Sequence, residues 1–356
     1  MTTPRQRAEA FCARFGLRAP ILQAPMASAS PAPLAAAVAS AGGMGGFGAL
    51  MSSPEQIRAW AGDFRSRSNG AFQVNLWMPD PAPVRDAAHE AKVRETLATL
   101  AGEPIPDPGP GPFLADFAAQ VDALVEARPP IASAMMGVFP PEMAARLAAA
   151  GIAWFGCATT VAEARAAEAA GAAAVVAQGA EAGGHRGSYD QAAAEGQLNG
   201  LFALLPQVAD AVSIPVIAAG GIMDGRGIAA ALVLGASAAQ LGTAFLRCPE
   251  TQLNPHWAAA LAAAKPEDTV LTRGFSGRLA RGIRNAVTEA FAGDLPPAPY
   301  PVQRALMVKV RAAAEAAGDA GRMQTWAGQG AALGTAEPAG DLVRRLWEET
   351  QALLAR

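Results

Sequence analysis

Cysteine is scarce, with three residues (Cys12, Cys157 and Cys248) in a chain of 356. They stand far apart and odd in number, which excludes a disulfide framework and any metal-type spacing, and fits a reducing cytoplasm. Charge is sparse too: Lys+Arg total 28 against 31 for Asp+Glu, a net charge of −3. Without an excess of positive charge, a nucleic-acid surface or an anchor on anionic lipid is excluded. No apolar run approaches the roughly 18 residues of a membrane span, and the polar opening segment offers no signal core. What is abundant is apolar surface, 51% of residues. A chain of this size and composition buries a sizeable core and is not disordered. A soluble cytoplasmic protein is expected.

Short apolar runs alternate with Ala-rich stretches of helical period. Strands are predicted over Ile21–Ala24, Gly46–Ala49, Phe72–Leu76, Ile131–Ala134, Ile152–Cys157, Ala174–Gln178, Pro215–Ala219 and Ala238–Leu241. These runs are mostly continuous rather than alternating, the mark of parallel strands buried on both faces. Ser53-Pro54-Glu55-Gln56 starts a helix, Thr160-Val161-Ala162-Glu163 reads as a capping box, and Asp224-Gly225 precedes a further helix. Eight strands alternating with helices predict an α/β fold, a (β/α)8 TIM-type barrel, with a doubly wound open sheet as the competing architecture. Residues 79–130 read as a helical insertion after strand 3. Residues 251–356 read as a mostly helical C-terminal extension packing on a barrel that spans 1–250. Both are expected to decorate the barrel rather than fold alone.

Gly43-Met44-Gly45-Gly46-Phe47-Gly48 matches a dinucleotide fingerprint by letters alone. A helix precedes it and a strand follows, the reverse of the required order, so a tight helix-to-strand turn is expected. More informative is Gln178, which ends a buried strand and leads into Gly179-Ala180-Glu181-Ala182-Gly183-Gly184-His185-Arg186-Gly187. Strand C-termini line the active site of a barrel, and glycines there let backbone approach a ligand closely. A loop histidine is commonly a solvated side chain. This one, of only three in the chain, sits where a base for a weak carbon acid would sit. The seventh strand ends on Gly220-Gly221 and the eighth on Gln240-Leu241-Gly242-Thr243, the two positions where barrels commonly bind phosphate. Gln23-Ala24-Pro25-Met26 and Asn75 end the first and third strands, where they could meet a flat heterocycle or simply pack. No cluster has metal-ligand spacing, and neither a nucleophile elbow nor a P-loop is present.

Together these segments resemble the nitronate monooxygenase family, FMN-dependent (β/α)8-barrel enzymes. The resemblance rests on Pro20-Ile21-Leu22-Gln23-Ala24-Pro25-Met26, the Gln178–Gly187 run, Ala218–Ile222 with Asp224–Gly227, and Gln240–Thr243. It continues through Phe275-Ser276-Gly277-Arg278, Ala280-Arg281-Gly282, Tyr300-Pro301-Val302-Gln303 and Trp326-Ala327-Gly328-Gln329-Gly330, so it covers almost the whole chain. It implies that His185 is the base removing the α-proton of a neutral nitroalkane. It implies flavin contacts from Ala24, Pro25, Met26, Asn75, Gln178, Gly183 and Gly184, with Gly220, Gly221, Gln240, Leu241, Gly242 and Thr243 around the FMN phosphate. Substrate contacts would come from Met136, Ser276 and Tyr300. The implied reaction oxidises an alkyl nitronate with O2 to a carbonyl compound and nitrite. A homodimer is an assembly left open.

The chain departs from the family where many members have His-Phe-Gly after the fourth strand and this one reads Met135-Met136-Gly137. It departs again at Ser28-Ala29-Ser30, where glycine often follows Pro-Met-Ala. Both places are expected on the substrate side. Two other function classes stay open: a flavin barrel that accepts hydride from NAD(P)H, such as a quinone or enoyl-thioester reductase, and a non-catalytic flavin- or phosphate-binding protein. The Arg281/Arg284 loop does not decide among them, Cys157 is expected in the core, and a lid role for 79–130 is left open.

Overall fold

The computed structural model describes residues 2–355. Six parallel strands follow the chain round a sheet: β1 (Ile21–Gln23), β2 (Gly45–Gly48), β3 (Phe72–Trp77), β4 (Ile131–Met135), β5 (Ala153–Ala158) and β6 (Ala174–Gln178). The two-residue β7 (Gly184–His185) lies outside this sheet, which β8 (Val216–Ala219) and β9 (Ala238–Leu241) complete. The strand order is β1-β9-β8-β6-β5-β4-β3-β2, and a parallel bridge between Leu22 and Met44 joins the two ends. At that seam Gln23 N donates to Met44 O at 2.9 Å. One step further the side chain takes over, Gln23 Oε1 accepting from Gly46 N at 2.9 Å. The sheet is therefore a (β/α)8 barrel and not an open one.

The glycines of 43–48 are explained by this closure. A Cβ on Gly46 would lie 2.4 Å from Gln23 O, and one on Gly45 would lie 2.7 Å from Ala35 O in the preceding helix, Ala32–Ser40. Helix, strand and seam approach too closely for any side chain, which is why the letters mimic a dinucleotide loop.

Alternate strand residues face inward. Leu22, Met44, Ile131, Phe155, Cys157, Val176, Ile217 and Ala219 fill the barrel, and the N-terminal helix Pro4–Phe15 plugs its lower end. Phe11 and Phe15 reach Phe155 at ring-centroid distances of 6.3 and 5.0 Å. Cys157 is thus a core thiol, and burial pushes its pKa up to about 12. A polar set joins this interior: Gln73 donates to Gln240 Oε1 at 3.0 Å, and Asn75 donates to Ser133 O and Oγ, both at 3.1 Å. Gln73 Oε1 is buried without a partner.

Two segments expected as decorations supply ring helices. Phe117–Ala127 packs Val121, Ala123 and Leu124 into the main core. Ala339–Leu354 adds Leu342, Val343 and Leu346 and lies against Gly225–Val233 and Ala32–Ser40. Residues 242–338 therefore intervene between β9 and its ring helix. The remaining insertion helix, Ala87–Ala101, does not stand free. With Val302, Leu306 and Val310 its Val93 and Leu97 form a satellite core, tied further by a 2.7 Å ion pair between Lys309 and Glu103. No helix among the described residues is long and apolar enough to cross a membrane.

The extension also contains strand. β10 (Thr269–Thr272) and β11 (Ala280–Ile283) form an antiparallel ladder that β7 completes, pairing Ala280 with His185 and Arg281 with Gly184.

Candidate active site

This small sheet sets the backbone of His185 beside the mouth of the barrel. Gln178 holds it from the other side: its Nε2 donates to His185 O at 3.1 Å and its Oε1 accepts from Gly187 N at 2.8 Å. An amide placed this way imitates a neighbouring strand, and its acceptor is spent on the loop rather than on a ligand. Glu163 holds the loop further on. Thr160 accepts from Glu163 N at 3.2 Å, but the expected capping box stays half-formed because the Glu163 carboxylate is drawn elsewhere. It accepts from Thr159 N at 2.6 Å, Thr159 Oγ1 at 2.8 Å and Tyr189 N at 2.8 Å. A carboxylate with three close donors stays bound to them.

The imidazole itself stands between two indoles. Trp77 lies 4.8 Å away with its plane at 72°, and Trp326 lies 5.1 Å away at 68°. Its Nε2 is 2.8 Å from the hydroxyl of Ser276, which is fully buried. Tyr300, also buried, is 6.3 Å from Trp77, and the Arg278 guanidinium lies 5.9 Å over its ring. Burial pushes the Tyr300 phenol up to about 12. Arg278 faces Asp80 of the insertion at 3.5 Å.

His185 is half-buried as a residue, and the packed protein around its imidazole desolvates it and lowers its pKa from 6.5 to about 3, helped by Arg304 and Arg278. The folded protein thus keeps this imidazole neutral, while an unfolded chain would protonate it below pH 6.5. The resulting stability is present above pH 6.5 and is lost as pH falls from there toward 3. The unfolding midpoint of the protein is therefore expected to drop between pH 7 and pH 5. In His185→Asn, thermal scans across the same range should show a shallower drop; an unchanged slope would contradict this environment.

The strand ends after β6, β8 and β9 meet the segment Trp326–Gly330. Gly328 N donates to Thr243 Oγ1 at 3.0 Å, and Gln329 N donates to Glu181 O at 3.0 Å. Gly183 lets this segment in, since a Cβ there would lie 2.4 Å from Gly328 N. Gly220 and Gly221 adopt φ of 122° and 69°, a backbone that favours glycine. Among the described residues, no protein oxygen accepts from the amides of Gly220, Gly221, Gly242 or Thr243. Unspent donors at adjacent strand ends suit an anion. Ala24, Pro25 and Met26 remain partly exposed at the same mouth.

Several expected residues fall elsewhere. Met136 is buried with φ of 66°, while its neighbour Met135 packs against the barrel interior. Ser276 is buried against His185 instead of lining open space. Leu241 turns its side chain to the outer core, leaving only its backbone at the mouth. Ser30 does not face a substrate: buried, it accepts from Met26 N and Gln23 Nε2, both at 2.8 Å, and so shapes the β1 loop. The structure adds Trp77, Arg278 and Arg304 to the surroundings of His185 and Tyr300. Trp77 had a signal, standing two positions past Asn75 on the inward face of β3.

Fold and site define a barrel that sets one histidine, held between two indoles, beside strand ends whose backbone amides have no protein acceptor. The family model for nitronate monooxygenase matches residues 9–349. A nitronate monooxygenase of Pseudomonas aeruginosa is 42% identical over 346 residues, 95% of this chain and 98% of that protein. The solved structure of a nitroalkane oxidase from Streptomyces ansochromogenes superposes with a TM-score of 0.87 at 40% identity, covering 94% of this chain and 96% of that one. FabK from Thermotoga maritima shares the fold with a TM-score of 0.75 at 27% identity over 97% of each chain. The chain belongs to the nitronate monooxygenase family. It is an oxidoreductase, and its broad activity is the oxidation of nitronates.

Proposed function

We propose that the protein uses FMN to oxidise alkyl nitronates with O2 to a carbonyl compound and nitrite, and that His185 removes the α-proton when the substrate is a neutral nitroalkane. The observation that carries this reading is the imidazole of His185, fixed between Trp77 and Trp326 beside the unspent amides that follow β8 and β9. The residues present suit FMN. Gly220, Gly221, Gly242 and Thr243 would hold its phosphate, and Ala24, Pro25, Met26, Asn75 and the buried, unpartnered Gln73 Oε1 offer a mixed apolar and polar floor for a flat ring. When bound, FMN supplies electron acceptance and reaction with oxygen.

The chain's own residues do the rest. A neutral His185 can take a proton, whereas an imidazolium could not. Arg278 and Arg304 bring positive charge to the same place, which favours an anionic nitronate over its neutral acid. Trp77, Trp326 and Tyr300 supply apolar walls that exclude water around it.

The reading is tested against nicotinamide dependence. Under anaerobic conditions the FMN-loaded protein is expected to keep its flavin absorbance when mixed with NADH or NADPH. Fast, saturable bleaching would overturn it in favour of a reductase.

A further inference from the structure

We propose that Ser276 is a positioning residue that holds His185 as its Nε2–H tautomer, so that a substrate proton is taken at Nδ1. The inference deepens the proposed role of His185 and rests on it, but its test does not depend on turnover.

Only one ring nitrogen is free. Nε2 is 2.8 Å from the Ser276 hydroxyl, which is 1% exposed, so a substrate cannot take that place. Among the described residues, no group hydrogen-bonds Nδ1. Which nitrogen carries the proton follows from where the hydroxyl sends its own. Ser276 Oγ accepts from Arg278 N at 3.3 Å and has Arg278 O as an acceptor, also at 3.3 Å. If Ser276 donates to Arg278 O, then Nε2–H donates to Ser276 and all three contacts are hydrogen bonds. If Ser276 instead donates to Nε2, the Arg278 carbonyl loses that bond and Nδ1 carries a proton, which leaves no base facing the substrate. In a buried site the arrangement that satisfies more polar groups prevails.

Reaction then requires no rearrangement. The α-C–H bond breaks, its electron pair stays with the substrate as the nitronate, and the proton forms the Nδ1–H bond of an imidazolium whose Nε2–H already points at Ser276. The ring cannot turn to offer the other nitrogen, because Trp77 and Trp326 flank it and β11 and Gln178 hold its backbone. The charged groups facing it, Arg278 and Arg304, are both cations, and neither competes as an acceptor.

The test is nitrogen NMR of the FMN-loaded protein labelled in histidine. There are three histidines, His89, His185 and His256, and the His185→Asn variant assigns the signals by loss. The expected spectrum shows His185 protonated at Nε2 and unprotonated at Nδ1 from pH 6 to pH 8; an Nδ1–H tautomer overturns the proposal. Ser276→Ala is expected to mix the two tautomers and to lower kcat/KM about tenfold more for a neutral nitroalkane than for its nitronate, a typical share of a general-base effect. Ser276→Thr keeps the hydroxyl and should keep the wild-type tautomer, which covers the case where the alanine variant does not fold; a tautomer change in the threonine variant would count against the proposal. Failure of nitronate turnover would sink the proposed function while leaving the tautomer readable.

Discussion

His185→Asn is expected to lower kcat/KM for a neutral nitroalkane by about a hundred- to ten-thousand-fold, the range of a lost general base. Oxidation of the pre-ionised nitronate should stay close to wild type. The split follows from chemistry, since a nitronate has already lost the α-proton and needs no base. Asparagine is too short to reach the Ser276 hydroxyl that Nε2 contacts, but it is uncharged, smaller than histidine and fits between Trp77 and Trp326, so the site should persist. Paired kinetics on one compound, added as nitroalkane and as nitronate, measures the ratio. Equal loss on both forms would show a structural role for the histidine. Unchanged rates on both would remove it from catalysis.

The second large effect is expected from Gly183→Ala. The new Cβ would stand 2.4 Å from Gly328 N and 2.6 Å from Ala327 C, both backbone atoms that cannot swing aside. Something must shift, and overpacking of this kind costs about 1–3 kcal/mol. The segment that gives way is Trp326–Gly330, so the Gly328 N to Thr243 bond and the Trp326 wall of His185 move together. Lower thermal stability should therefore come with lost flavin retention after gel filtration. Gly62→Ala, in a helix where nothing lies within 4 Å of the new methyl, is the control and should leave both unchanged or slightly improved. A Gly183→Ala protein as stable and as yellow as wild type would contradict the packing described.

The barrel was legible in the sequence because burial on both faces leaves a local signature. The limits of β6 and β9 coincide with Ala174–Gln178 and Ala238–Leu241, and the order of strands follows from chain order in this fold. The helix expected from Ser53-Pro54-Glu55-Gln56 starts there, with Ser53 and Gln56 closing a capping box, since both partners belong to one helix start. Glu163 did not close one, because Thr159 next to the cap takes one carboxylate oxygen and Tyr189, from 26 residues away, takes the other, and no local pattern carries the second contact. The same reason hides β7, β10 and β11, short segments stabilised by pairing with each other, although Thr269-Val270-Leu271-Thr272 has the β-branched composition of a strand. It also hides the ring position of Ala339–Leu354, which depends on a tertiary fit to Gly225. At the site, His185 and the glycine-ended strands were readable from position. The contact of Ser276 with His185 was not, because it spans 91 residues.

Under the proposed function the barrel passes electrons from a nitronate to oxygen without a nicotinamide. The most direct test is oxygen uptake by the purified, FMN-loaded protein given propionate 3-nitronate alone. Rapid uptake with release of nitrite is the predicted result. No uptake, with flavin demonstrably bound, would contradict it.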